Sequence, residues 1–117
     1  MKQFLKVLET SPESVSFNDT IAVIDANYDF IPGAFLNGDL QNEAGQNNGS
    51  CKIFSFAKLQ GLTPEQTLNC FGIYYREDVL GSPGGVDHQN IRNFMVSGWS
   101  GLAFEATTLT LKIDSAG

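Results

Sequence analysis

Apolar residues along the chain return at intervals that change from helical to strand-like near the C-terminal end. Phe4, Leu5 and Leu8 share helical spacing, so residues 2–10 read as a short amphipathic helix. Ser11, Pro12 and Glu13 form a helix-start signal: a capping serine, a proline at the first position and an acid at the positive end. Asn18 or Asp19 offers a further cap before a segment in which Ile21, Ile24 and Tyr28 share a face. That helix must end before Pro32, which lacks the N–H a helix needs. Pro32 and Gly33 restrict residues 30–37 to an edge strand or an irregular stretch.

Residues 37–52 are rich in Asn and Gly, which favour turns and positive φ, and read as a loop. Ser50 is placed to cap the helix 51–60, and Gly61 to stop it. Within that helix only Lys52, Ser55 and Lys58 form a polar stripe, so it should be central and largely buried. Thr63, Pro64 and Gln66 make a capping box, and Leu68, Phe71, Tyr75 and Val79 mark one face of a helix ending at Gly81. Pro83, Gly84 and Gly85 form a loop, and Asp87 caps residues 88–97, which stop at Gly98. Leu102, Phe104 and Ala106 then alternate as on a half-buried strand. Leu109, Leu111 and Ile113 alternate in the opposite phase, so a bulge or turn is expected near Thr107 and Thr108. The fold class is α+β: a single small domain over residues 1–117, with four or five helices packed on a small antiparallel sheet formed mainly by the C-terminal segment.

The chain has 117 residues, which suits one domain, and 42% hydrophobic residues, enough for a core. A net charge of -6 argues against nucleic acid or an anionic membrane surface as partner. The opening residues become polar before a signal-type apolar region forms, so no secretory leader is expected. Cys51 and Cys70 are then read as reduced thiols of a bacterial cytoplasm. With one histidine and no CxxC or HxxxH spacing, neither a metal site nor a cofactor is expected.

Cys51 carries the most plausible chemistry. A helix start and the adjacent Lys52 would favour its thiolate. The residues Gly49, Ser50 and Cys51, with Gln46 upstream, resemble the surroundings of papain-type nucleophiles, although Gln46 stands one residue too close. His88 is the candidate base, and Gln46 or Asn47 the candidate oxyanion donor. Cysteine is nevertheless among the most buried residue types, so an inert Cys51 is the commoner outcome. The polar strings 42–52 and 87–92 should meet, with Glu43, Gln46 or Asn47 bonding near His88 and Arg92. Arg92 is the natural partner for Glu43, because a guanidinium can hold a carboxylate with two hydrogen bonds.

The strings IDANYDF, NEAGQNNGSCK, CFGIYYRED, DHQNIRNFM and GW, spread between about Ser11 and Lys112, resemble the HopJ type III effector family. The resemblance implies an effector-like protein without an established enzymatic activity or a catalytic motif to carry over; either it is delivered into a host cell by type III secretion or it stays in the bacterial cytoplasm. Two functional classes follow. The preferred one is a non-enzymatic protein-binding module presenting Glu43, Gln46, Asn47, Asn90, Arg92 and Trp99. The alternative is a Cys51-dependent hydrolase or transferase with His88 as base.

Overall fold

Capping sets the helix boundaries. The computed structural model describes residues 1–112. Its helices are α1 (Lys2–Thr10), α2 (Phe17–Asn27), α3 (Asn48–Gln60), α4 (Pro64–Asn69) and α5 (Gln89–Ser97). The α2 cap is Ser16 rather than Asn18 or Asp19. Its hydroxyl accepts the Asp19 N–H at 3.0 Å while the Asp19 carboxylate accepts the Ser16 N–H at 3.2 Å. Asp19 thus supplies the far half of a capping box. The box expected at Thr63 and Gln66 is present. The helix expected to run on to Gly81 instead breaks at Gly72, whose φ is +63°. A Cβ there would lie 2.7 Å from the backbone N of Phe17, so only glycine lets the two segments cross. A π-helical turn, Tyr74–Val79, follows the break.

The strands are β1 (Tyr28–Phe30), β2 (Phe35–Asn37), β3 (Leu40–Asn42), β4 (Leu102–Phe104) and β5 (Leu109–Leu111). They form two antiparallel sheets, β1–β5 and β3–β2–β4. Each C-terminal strand therefore pairs with a strand from residues 28–42. The backbone between Phe104 and Leu109, containing Thr107 and Thr108, carries the chain from one sheet to the other. Tyr28 begins a strand instead of closing α2, and β2 is the middle strand of its sheet rather than an edge. Pro32 and Gly33 do not interrupt the ladder because they lie between β1 and β2. Ile113, expected to continue the last alternation, lies outside the described residues.

As its nearly apolar sequence predicts, α3 is central. Phe54 meets the rings of Phe35, Phe71 and Phe94 with centroids 6.2, 5.4 and 4.9 Å away. Phe56 meets Phe4 and Tyr28, each at 6.0 Å. Aromatic packing on both sides of one helix thus joins the two sheets into one core.

Residues 37–50 are not a loop. They contain the β2–β3 hairpin, a turn and the start of α3. On the inward face of the hairpin stand Asn37 and Asn42, with 0% and 1% exposure. Asn37 Nδ2 donates to the Asn90 carbonyl at 2.8 Å and to Asn90 Oδ1 at 3.0 Å. Asn42 and Asn90 exchange amide hydrogen bonds of 3.1 and 2.9 Å. Asn47 Nδ2 donates to Asn42 Oδ1 at 2.7 Å, and Asn93 Nδ2 to the Asn37 carbonyl at 3.0 Å. These amides tie the hairpin to the first turn of α5. Truncating Asn90 would strip partners from both hairpin amides, and an unpaired buried polar group costs about 1–3 kcal/mol. Asn90→Ala should therefore lose about 3 kcal/mol in urea unfolding, and Asn93→Ala about 1 kcal/mol. Equal losses would show that the cluster adds nothing beyond ordinary hydrogen bonds.

Candidate functional site

Two helix starts converge on one cleft. Asn47 is the N-cap of α3 and His88 the N-cap of α5, in place of the expected Ser50 and Asp87. Both caps are left-handed, with φ of +52° and +49°. This conformation is uncommon outside glycine but enriched for Asn and His. Neither side chain caps its own helix. Asn47 bonds Asn42, and His88 Nε2 lies 3.2 Å from Asp78 Oδ2. The first-turn N–H groups of both helices consequently keep no side-chain cap. Between them opens a cleft of about 510 Å³, lined by Ser50, His88 and Asn90 on its polar side and by Phe17, Leu40 and Tyr74 on its apolar side.

An aromatic ladder supports one wall. Phe17 packs edge-on against Tyr74 at 5.2 Å, and the His88 ring lies 5.3 Å from Tyr74. Gly49 lets the Phe17 ring lie close, because a Cβ would sit 2.8 Å from Phe17 Cζ and the ring would have to shift. Beside His88, the Arg92 guanidinium donates to Asp87 Oδ1 at 2.6 Å and holds that carboxyl below its ordinary range.

The structure brings the two polar strings together, but through Asn42, Asn47 and Asn90. Glu43 and Gln46 instead close a turn on each other: Gln46 Oε1 accepts the Glu43 N–H, and the Glu43 carbonyl accepts the Gln46 N–H. Arg92 does not pair with Glu43. The loop beneath it supplies nearer acceptors, the carbonyls of Ser82 and Asp87 and the Asp87 carboxylate. Trp99 is committed to the core, its Nε1 donating to the Leu62 carbonyl at 3.1 Å and its ring edge-on to Phe94 at 5.2 Å.

Cys51 and His88 share no hydrogen bond. With α3 beginning at Asn48, Cys51 is its fourth residue, and its N–H is already bound to the Asn47 carbonyl at 3.0 Å. The side chain is buried, with Sγ directed at the Gly33 carbonyl 3.9 Å away. Burial pushes the thiol up, against smaller opposing effects of hydrogen bonds to Thr108, Gly33 and Ser55. Of the two readings weighed for Cys51, the geometry sides with the inert thiol: α3 begins three residues before it, and the sulfur faces the core. Sequence reasoning missed Ser50 as a cleft residue by assigning it the cap. It also missed Asp78 and Tyr74, whose approach to His88 depends on the break at Gly72.

Among the described residues no group of His, Cys, Asp or Glu side chains could hold a metal ion, and no helix is long and apolar enough to cross a membrane. The arrangement is that of a small α+β domain with a mixed polar and aromatic cleft between two helix starts. Residues 1–109 match the model of the HopJ type III effector protein family, and the chain belongs to that family. It is also similar to the protein of unknown function VPA0580, known from a crystal structure. The two are 59% identical with a TM-score of 0.94, over 96% of this chain and 93% of that one. No curated protein matches the chain.

Both thiols should resist modification. In the native protein near neutral pH, iodoacetamide should label neither Cys51 nor Cys70, and both should react once urea unfolds the chain. Burial pushes the Cys70 thiol from 9.0 up to about 12. The folded state then holds a proton that the unfolded chain releases. This contribution is complete below pH 9.0 and is lost as pH rises towards about 12. Rapid native labelling of Cys51, read by peptide mass, would contradict the buried-thiol assignment.

Proposed function

We propose that this HopJ-family chain is an effector-like protein-binding module, made in the bacterial cytoplasm and passed to a host cell by type III secretion. Its recognition surface is the cleft together with the segment 73–88 that loops out beside it. That segment leaves Ile73, Tyr74, Leu80 and Val86 exposed, Val86 by 84%, and returns to the cleft at His88. Four of the eleven large apolar residues exposed among the described residues fall in this one segment, and that is the observation that carries the reading.

Charge selects the occupant. Glu77 and Asp78 belong to the same segment, while Arg76 within it is engaged by backbone carbonyls and Arg92 is paired with the Asp87 carboxylate. Arg76 donates to the carbonyls of Pro12 and Val15, and Arg92 to Ser82 and Asp87. Together with the net charge of -6, this favours a protein segment bearing apolar side chains beside basic ones, and disfavours nucleic acid.

Peptide display against the folded chain should enrich basic–apolar segments, and their binding should weaken as salt rises. Changing Leu80 and Val86 together to Ser should weaken binding about tenfold, as expected for losing ~1.4 kcal/mol of apolar contact. Enrichment of acidic segments, or undiminished binding by the double variant, would contradict this reading. Export is tested separately: a reporter fused behind the chain should leave the bacterium only when the type III system is intact.

A further inference from the structure

We infer that Ser50, His88 and Asp78 constitute an acyl-transfer site in this cleft, suited to a neutral ester or amide with an apolar acyl group. The inference goes beyond binding and does not depend on the partner proposed above. Three observations converge. Ser50 is the third residue of α3, it lines the cleft, and its hydroxyl has no hydrogen-bond partner among the described residues. His88 lines the same cleft, packed on Tyr74 at 5.3 Å. Its Nε2 is committed to Asp78 Oδ2 at 3.2 Å. Nε2 faces that carboxylate, so Nδ1 is the ring nitrogen left to act as a base. Ser50 and His88 share no direct hydrogen bond, and the proposed chemistry requires them to close on each other, directly or through one water, when substrate enters.

The field of the cleft suits the charges such a reaction creates. First-turn N–H groups of α3 lie beside Ser50, where an oxyanion would form. The carboxylate of Asp78, and that of Asp87 at 3.8 Å, lie beside the imidazole that would become cationic. Phe17, Phe71, Tyr74 and Leu40 provide apolar surface for the acyl chain. Cys51, one residue on, faces away from all of this and takes no part.

The step balances without any further reagent. Ser50 Oγ forms a bond to the carbonyl carbon as His88 Nδ1 accepts the hydroxyl proton. The carbonyl π electrons move onto oxygen, which the first-turn N–H groups of α3 receive. Collapse of this intermediate breaks the bond to the leaving oxygen or nitrogen, which takes the proton from His88. Water then repeats the sequence on the acyl-serine, releasing a carboxylic acid and restoring Ser50.

The test uses the full chain, a fluorophosphonate probe and p-nitrophenyl butyrate. The probe should add to the peptide containing Ser50 in the folded protein and not in the urea-unfolded chain. Butyrate ester hydrolysis should fall by about 100-fold or more in both Ser50→Ala and His88→Ala, the scale of general-base catalysis. Asp78→Asn should lower the rate and shift its pH profile. Circular dichroism and thermal melting of Ser50→Ala should match the parent, which confines the effect to chemistry. Retained binding of basic–apolar peptides by Ser50→Ala would keep the two readings distinguishable. An unlabelled Ser50, or equal hydrolysis by the parent and Ser50→Ala, would overturn the inference.

Discussion

The cleft depends on a cluster of side-chain amides buried where the hairpin meets α5. Asn37 and Asn42 come from one strand pair, Asn90 from a helix some fifty residues later, and their hydrogen bonds replace the water each would otherwise hold. Asn37 Oδ1 has no partner among the described residues, but the other buried amide atoms of the cluster are hydrogen-bonded. A hydrophobic contact at this place would tolerate sliding of the hairpin along the helix. An amide pair bonded in both directions does not, because a displacement of about 1 Å breaks two bonds at once. The cluster therefore fixes where the starts of α3 and α5 stand relative to each other.

The side chains that would normally finish the two helix starts are diverted elsewhere. Asn47 spends its amide on Asn42, and His88 its imidazole on Asp78. Two adjacent helix starts with uncapped first turns result, facing a wall of aromatic rings. Asp78 and Asp87 stand beside His88 at one of these starts, and the first turns of α3 and α5 are left without side-chain caps.

Much of the fold was legible in local patterning. The buried central helix followed from the narrow polar stripe of Lys52, Ser55 and Lys58, and the capping box at Thr63 from its spacing alone. The C-terminal alternation marked β4 and β5, but their partners in 28–42 did not show, because Pro32, Gly33 and the Asn- and Gly-rich stretch that follows interrupt the apolar pattern there. Asn and Gly suggested a loop at 37–50, since propensity does not reveal that buried amides can satisfy one another across the fold. The site was half legible: 42–52 and 87–92 were rightly brought together, while the residues expected to join them were not. The activated alternative for Cys51 rested on a helix start placed three residues late; with α3 beginning at Asn48, the side chain is buried, as the favoured inert reading has it. Asp78 and Tyr74 could not be placed without the break at Gly72.

Hydrogen exchange tests most directly whether the amide cluster holds both helix starts. The N–H of Cys51, bonded to the Asn47 carbonyl, and that of Arg92, bonded to the His88 carbonyl, report on α3 and α5 separately. The Ile31 N–H, bonded to the Thr108 carbonyl at 2.8 Å, reports on the other sheet. In Asn42→Ala, exchange at Cys51 and Arg92 should accelerate together while Ile31 keeps its protection. Acceleration at Cys51 alone, or equal loss at all three amides, would contradict a cluster that couples the two helix starts and leaves the rest of the fold in place.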